Sequence, residues 1–94
     1  MIVYKAMYKV DSDGVSAQVL DFPGAITCAD TLQEARRLLA SALVDMAETN
    51  LMRGEPLPTP NPQIHDEEAD VEEPIYLLLK AASRVNEVPE TAAI

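Results

Sequence analysis

The chain has one cysteine, one histidine, one phenylalanine and no tryptophan in 94 residues, and its seven basic side chains face sixteen acidic ones. Each scarcity excludes something. Cys28 alone cannot build an intramolecular disulfide framework, which fits a reducing compartment. No apolar run approaches the ~18–20 residues of a membrane span. The start, Met1-Ile2-Val3-Tyr4-Lys5, lacks the cationic residues and unbroken apolar stretch of a signal peptide. These absences lead to the expectation of a soluble, cytoplasmic protein. The formal charge of −9 repels phosphate backbones, so free nucleic acid is a poor ligand and a basic protein a better one. A single domain of this length buries only roughly 60–65% of its unfolded surface, so self-association would be a natural supplement.

What is present is patterned. Ile2, Tyr4, Ala6, Tyr8 and Val10 alternate with Val3, Lys5, Met7 and Lys9, the period of a half-buried strand. Asp11-Ser12-Asp13-Gly14 forms a turn, and Val15, Ala17 and Val19 alternate with Ser16 and Gln18 on the returning strand. Asp21-Phe22-Pro23-Gly24 then breaks the strand. Ala25-Ile26-Thr27-Cys28-Ala29 reads as a third antiparallel strand, with Cys28 a small buried residue and Phe22 plugging the sheet edge beneath the turn.

Thr31 and Glu34 make a capping box, the hydroxyl taking an orphan amide and the glutamate reaching back. Leu32, Ala35, Leu39, Ala42, Leu43, Met46 and Asn50 follow at helical spacing, with Glu34, Arg37, Ser41, Asp45 and Glu48 largely opposite. Gly54 suits a left-handed C-cap, so the helix is expected over about 31–53. One helix covers one face of a sheet. The other face, with Lys5, Lys9, Ser16 and Gln18 beside Val3 and Met7, is expected to stay wet. Sheet edges or the Leu38 side of the helix are then the expected contacts of a homodimer or higher oligomer.

Pro56, Pro58, Pro60 and Pro62 impose an extended path that would hold the following segment away from the sheet. His65 to Glu73 contains six carboxylates in nine residues. The run reads either as a solubilising loop or as a partner-binding segment using Asp66, Glu67, Glu68, Asp70, Glu72 and Glu73. Ile75 to Leu79 could be a strand or the start of a short helix. A strand is favoured, because a sheet with one long helix needs a fourth strand to bury that helix's face. The fold class is therefore α+β, a three-stranded antiparallel meander, a long helix and a fourth strand. It forms a domain over 1–80, including the proline-rich and acidic loop 55–74, followed by a tail over 81–94.

Four motifs in order carry a family resemblance. They are the turn Asp11 to Gly14, Leu20-Asp21-Phe22-Pro23-Gly24, Ala29-Asp30-Thr31-Leu32-Gln33-Glu34-Ala35, and Gly54-Glu55-Pro56-Leu57-Pro58-Thr59-Pro60. Together the chain resembles HicB antitoxins of bacterial toxin–antitoxin pairs. The resemblance covers residues 1–60 well and 75–80 loosely. It implies a β-β-β-α-β domain related to a truncated ribonuclease H fold, usually dimeric or larger. It also implies a partner, HicA, a small basic ribonuclease toxin whose RNA-binding surface the domain masks. An acidic chain suits that role, since carboxylates occupy sites meant for phosphates. Many HicB antitoxins add a DNA-binding segment. Only fourteen residues follow Lys80, so autoregulation by DNA binding is not expected.

Catalysis finds little support. Two-metal nuclease chemistry needs three or four converging carboxylates, whereas Met1 to Val10 contains none. Asp11, Asp13, Asp21 and Asp30 read as turn and cap residues. His65 with Asp66 or Asp70 could hold a metal, but a solvated loop histidine is the simpler reading, and Cys28 has no base nearby in sequence. The expectation is a non-catalytic binding module with no cofactor or metal. The alternatives are a stand-alone homo-oligomer with another partner or a small ligand, and, last, a metal-dependent nuclease.

Overall fold

The alternation at the N-terminus becomes a meander of three antiparallel strands in the computed structural model, which describes residues 1–78. The elements are β1 (Ile2–Asp11), β2 (Gly14–Val19), β3 (Phe22–Ala29), α1 (Leu32–Met52) and β4 (Val71–Leu77). Leu79, Lys80 and the tail expected over 81–94 lie outside the described residues. The four strands form one antiparallel sheet in the order β3-β2-β1-β4. No helix among the described residues is long and apolar enough to cross a membrane.

The first hairpin closes at Asp11 opposite Gly14. Asp13 N–H donates to Asp11 Oδ1 at 2.8 Å, and Gly14 adopts φ +142°. The second turn is shorter than the sequence suggests. β3 begins at Phe22, so Pro23 and Gly24 belong to the strand, and a register shift at Gln18/Val19 accommodates the tight reversal. β3 lies at the sheet edge, where proline is tolerated. Gly24 keeps no positive φ; its missing side chain instead admits the Met46 methyl of α1.

The fourth strand is present but starts at Val71, four residues earlier than expected. It absorbs the end of the acidic run, because Glu72 and Glu73 extend the pairing with Met7 and Ala6. Pro74 sits opposite Lys5 on this second edge strand.

α1 buries Ala35, Leu39, Leu43 and Ala47 against the sheet. They meet Tyr4, Ala6, Tyr8, Val15, Ala17 and Val19, the inward residues of β1 and β2. Phe22 is part of this core, edge-on to Tyr4 with ring centroids 6.0 Å apart. Thr31 Oγ1 accepts Glu34 N–H at 3.1 Å, so the N-cap half of the capping box forms. Glu34 does not reach back; its carboxylate pairs with Arg37 instead. The helix ends as expected, with Gly54 at φ +73° and Glu55 N–H returning to Asn50 O at 2.8 Å.

The largest departure concerns the sheet's other face. The segment after α1 is not held away from the sheet. It rounds the end of β1 and lies across the face opposite the helix, and Met7 on that face is only 4% exposed. The chain thus supplies its own cover where an open, wet face was expected.

Candidate functional site

The cover is a strap of residues 56–70, pinned at successive points by β1. Leu57 packs against the core, and Tyr4 Oη donates to Pro58 O at 2.7 Å. Asp21 then joins three segments. Its Oδ1 accepts Lys5 N–H at 2.8 Å and its Oδ2 accepts Asn61 N–H at 2.7 Å. Lys5 Nζ donates to Ile64 O at 2.7 Å and Pro62 O at 3.3 Å. The strap ends as a strand would, with Asp70 N–H on Tyr8 O at 2.8 Å and Asp70 Oδ2 accepting Val10 N–H at 2.6 Å. The alternate prolines explain why this path suits docking. They keep the backbone extended and remove donors that would otherwise need partners.

The six acids named from the sequence do not form one outward patch. Glu72 and Glu73 are neighbours in β4, so they point to opposite faces. Glu73 lies on the helix side and grips Arg36, Nε to Oε2 at 3.0 Å and Nη2 to Oε1 at 2.8 Å. Arg36 in turn stacks 5.9 Å over the Tyr8 ring. Glu72 lies on the strap side, where Oε2 accepts Asp66 N–H at 3.0 Å and meets His65 Nδ1 at 3.2 Å, and Oε1 lies 3.8 Å from Lys5 Nζ. Asp66 caps the turn to Glu68 N–H and sits 4.0 Å from Lys9, while Glu68 pairs with Lys9 at 2.9 Å. Glu67 alone of the six is exposed with no partner among the described residues. The sequence reading missed Asp21, Lys5 and Lys9 as strap anchors. Their partners lie 16 to 59 residues away, and no local pattern records that.

The electrostatics follow from these contacts. Glu72 is held below the usual carboxylate range, chiefly by the Asp66 amide, with His65 and Lys5 adding to it. The Lys9 ammonium is raised by its bond to Glu68. Burial pushes the Tyr4 and Tyr8 phenols up, with Asp21 and Glu73 reinforcing each in turn. No group of three or more histidine, cysteine or acidic side chains among the described residues could hold a metal ion. Asp11 makes its turn bond, Asp21 serves the strap, and Asp30 is exposed before the helix cap.

A groove flanks the strap on each side. One, of about 410 Å³, lies between the strap and the β1–β4 end of the sheet, lined by Val3, Lys5, Asp21, Asn61, Pro62 and Pro74. The other, of about 470 Å³, runs over β1, β2 and β3 and is lined by Met7, Lys9, Ser16, Gln18, Ile26 and Cys28. Cys28 is exposed there, not buried as the sequence suggested. It pairs with Ser16 and shares the strap-side face with Ile26, since Ala25 took the inward position once β3 began at Phe22. Ile26 is 61% exposed, and Val3 and Tyr76, cross-strand neighbours on the same face, are 41% and 57% exposed. The arrangement offers apolar contact area and fixed charge pairs, the equipment of a binding surface.

No protein-family model and no curated protein matches the chain by sequence. Solved structures do match. The chain is similar to the N-terminal domain of the Burkholderia pseudomallei antitoxin HicB, with a TM-score of 0.69 at 20% identity, over 83% of this chain and 100% of that one. It is also similar to a chain of the HicA3–HicB3 toxin–antitoxin complex, with a TM-score of 0.55 at 20% identity, over 63% of this chain and 69% of that one.

Proposed function

We propose, from the HicB-like fold of this chain, that it is a non-catalytic protein-binding module of the antitoxin type. In this reading it neutralises a small basic ribonuclease of the HicA kind in the cytoplasm. The observation that carries the reading is the match to the whole of a HicB N-terminal domain, joined to a formal charge of −9. The kinship with truncated ribonuclease H domains belongs to the same reading. β1 carries an acid only at its last residue, Asp11, which favours binding over two-metal hydrolysis. Titration with Mn²⁺ and Mg²⁺ checks this point, a rise in melting temperature arguing for the nuclease.

Within the acidic run, the first contacts with a cationic partner fall to Glu67, which has no partner among the described residues, and to Glu68, whose side chain stays 81% exposed in its pair with Lys9. Asp70, Glu72 and Glu73 are engaged within the chain, and breaking their bonds would cost part of what a partner could return. That engagement also favours a second reading, a stand-alone homo-oligomer whose grooves take another partner or a small ligand.

The deciding experiment is capture of tagged protein from native lysate at low and moderate salt, followed by mass spectrometry and an RNA-cleavage assay. One small basic protein that cuts RNA only after this chain is removed establishes the antitoxin. Recovery of this chain alone at both salts supports the second reading.

A further inference from the structure

We infer that the middle of the strap, residues 59–69, is a latch that opens as one unit while the sheet and α1 stay folded, uncovering the β1 face beneath it. Its two roots are firm. At one end Leu57 packs against the core and Pro58 O takes the Tyr4 hydroxyl, and at the other Asp70 N–H joins the sheet on Tyr8 O. Between the roots no residue is buried. Ile64, Asp66 and Ala69 are half-buried and the other eight are exposed.

What holds the segment down is polar. Asn61 N–H sits on Asp21 Oδ2, Lys5 Nζ reaches Pro62 O and Ile64 O, Asp66 N–H sits on Glu72 Oε2, and Lys9 pairs with Glu68. Water replaces such bonds at little net loss, whereas apolar core contacts have no such substitute. The face underneath is equally ready for solvent. It carries Lys5, Lys9, Ser16 and Gln18, and Met7 is its one buried side chain. On the other face, Ala35, Leu39, Leu43 and Ala47 of α1 are fully buried. The helix therefore leaves the sheet only on global unfolding, while residues 59–69 leave it at a far lower free energy.

Opening changes what the molecule presents. Closed, the strap turns Glu67 and Glu68 outward, and Lys5 and Lys9 are engaged beneath it. Open, Lys5, Met7 and Lys9 line the middle of the sheet. The grooves of about 410 and 470 Å³, walled by Asn61 and Pro62 on one side and by Asp66 on the other, merge into one surface from Val3 to Ile26. The latch thus exchanges a ridge with outward acids for a mixed face with two ammonium groups freed of the strap.

Native-state hydrogen exchange of the full chain, followed across low urea concentrations, tests the latch. The amides of Asn61 and Asp66 are expected to show protection factors at least about a hundredfold below those of the β1–β2 ladder, with a common urea slope well under the global one. Lys5→Met removes the donor to Pro62 O and Ile64 O and should lower both strap protection factors together, by about tenfold. Thr31→Ala loosens the helix cap and weakens the folded body equally with the latch open or shut. It should lower ladder protection about fivefold and leave Asn61 and Asp66 unchanged. Strap amides that follow the ladder in Thr31→Ala would mean that the segment leaves only when the whole chain unfolds. Asn61 and Asp66 responding separately to Lys5→Met would mean fraying at single bonds. Either result overturns the latch, as does the absence of measurable protection at both amides.

Discussion

Asp21 ties three parts of the architecture together through one side chain. Its two oxygens serve amides from β1 and from the strap, at 2.8 and 2.7 Å, so one carboxylate fixes both the second turn and the docking of residues 56–70. Asp21→Ala leaves two donors without partners, and the expected loss is about 1–3 kcal/mol in urea unfolding, with faster hydrogen exchange at Asn61. Asp21→Asn keeps one acceptor oxygen and should lose less. Glu72 gives the same strap a pH dependence. Its folded pKa is depressed, so its stabilising contribution is complete above the ordinary value of 4.5 and disappears as pH falls through the lower folded value. Glu72→Gln should therefore flatten the acid limb of a stability–pH profile below that value and change little of its slope near neutrality. An acid limb as steep as wild type would assign the transition to other carboxylates.

At the scale of elements, two glycines with positive φ make a graded pair. A Cβ at Gly14, φ +142°, would stand 2.6 Å from Ala29 O, whereas one at Gly54, φ +73°, meets nothing within 4 Å. Gly54→Ala should cost about 1 kcal/mol of backbone strain, and Gly14→Ala distinctly more, because it also forces β2 from β3. Chemical denaturation of both variants reads the order directly. Thr31→Ala, which removes the Glu34 cap bond, should cost about 1 kcal/mol as well. These elements were legible because their signals are local. Thr31, Gly54 and the apolar spacing between them define α1 to within a residue at each end, whereas Ile75 to Leu79 read equally as strand or short helix until the sheet's need for a fourth strand decided it. The beginning of β4 was not legible, since Glu72 and Glu73 look like solvent until Met7, Ala6 and Arg36 stand opposite them. The strap was illegible for the same reason at longer range. Prolines specify an extended path but not which face it crosses, and Lys5 and Lys9 read as a wet face until their partners arrive from the other end of the chain. Cys28 was misplaced because a shift of the strand start changes which residues point inward.

For the whole molecule the dominant fact is an excess of nine acids over bases, held in a structure whose ion pairs lie at the surface. Salt acts on both terms at once. It weakens pairs such as Lys9–Glu68 and Arg36–Glu73, which lie at the surface and contribute little there. It also screens the repulsion among the acids, which operates over the full surface, with a Debye length falling from about 30 Å at 0.01 M to about 8 Å at 0.15 M. The repulsive pairs are longer-ranged and more numerous than the attractive ones, so they lose more energy to screening. The melting midpoint should therefore rise between these two salt concentrations, and a net gain of about 1 kcal/mol would appear as roughly 4–8 °C in a domain of this size. Glu67→Gln, which removes an acid with no partner among the described residues, should raise the midpoint at low salt and matter less at high salt. Glu73→Gln removes a bidentate partner of Arg36 and should lower it at both. Calorimetry of the three proteins at two salt concentrations measures this. A midpoint that falls with salt would mean that the ion pairs pinning the strap and β4, rather than the overall charge, govern how tightly this chain closes on itself.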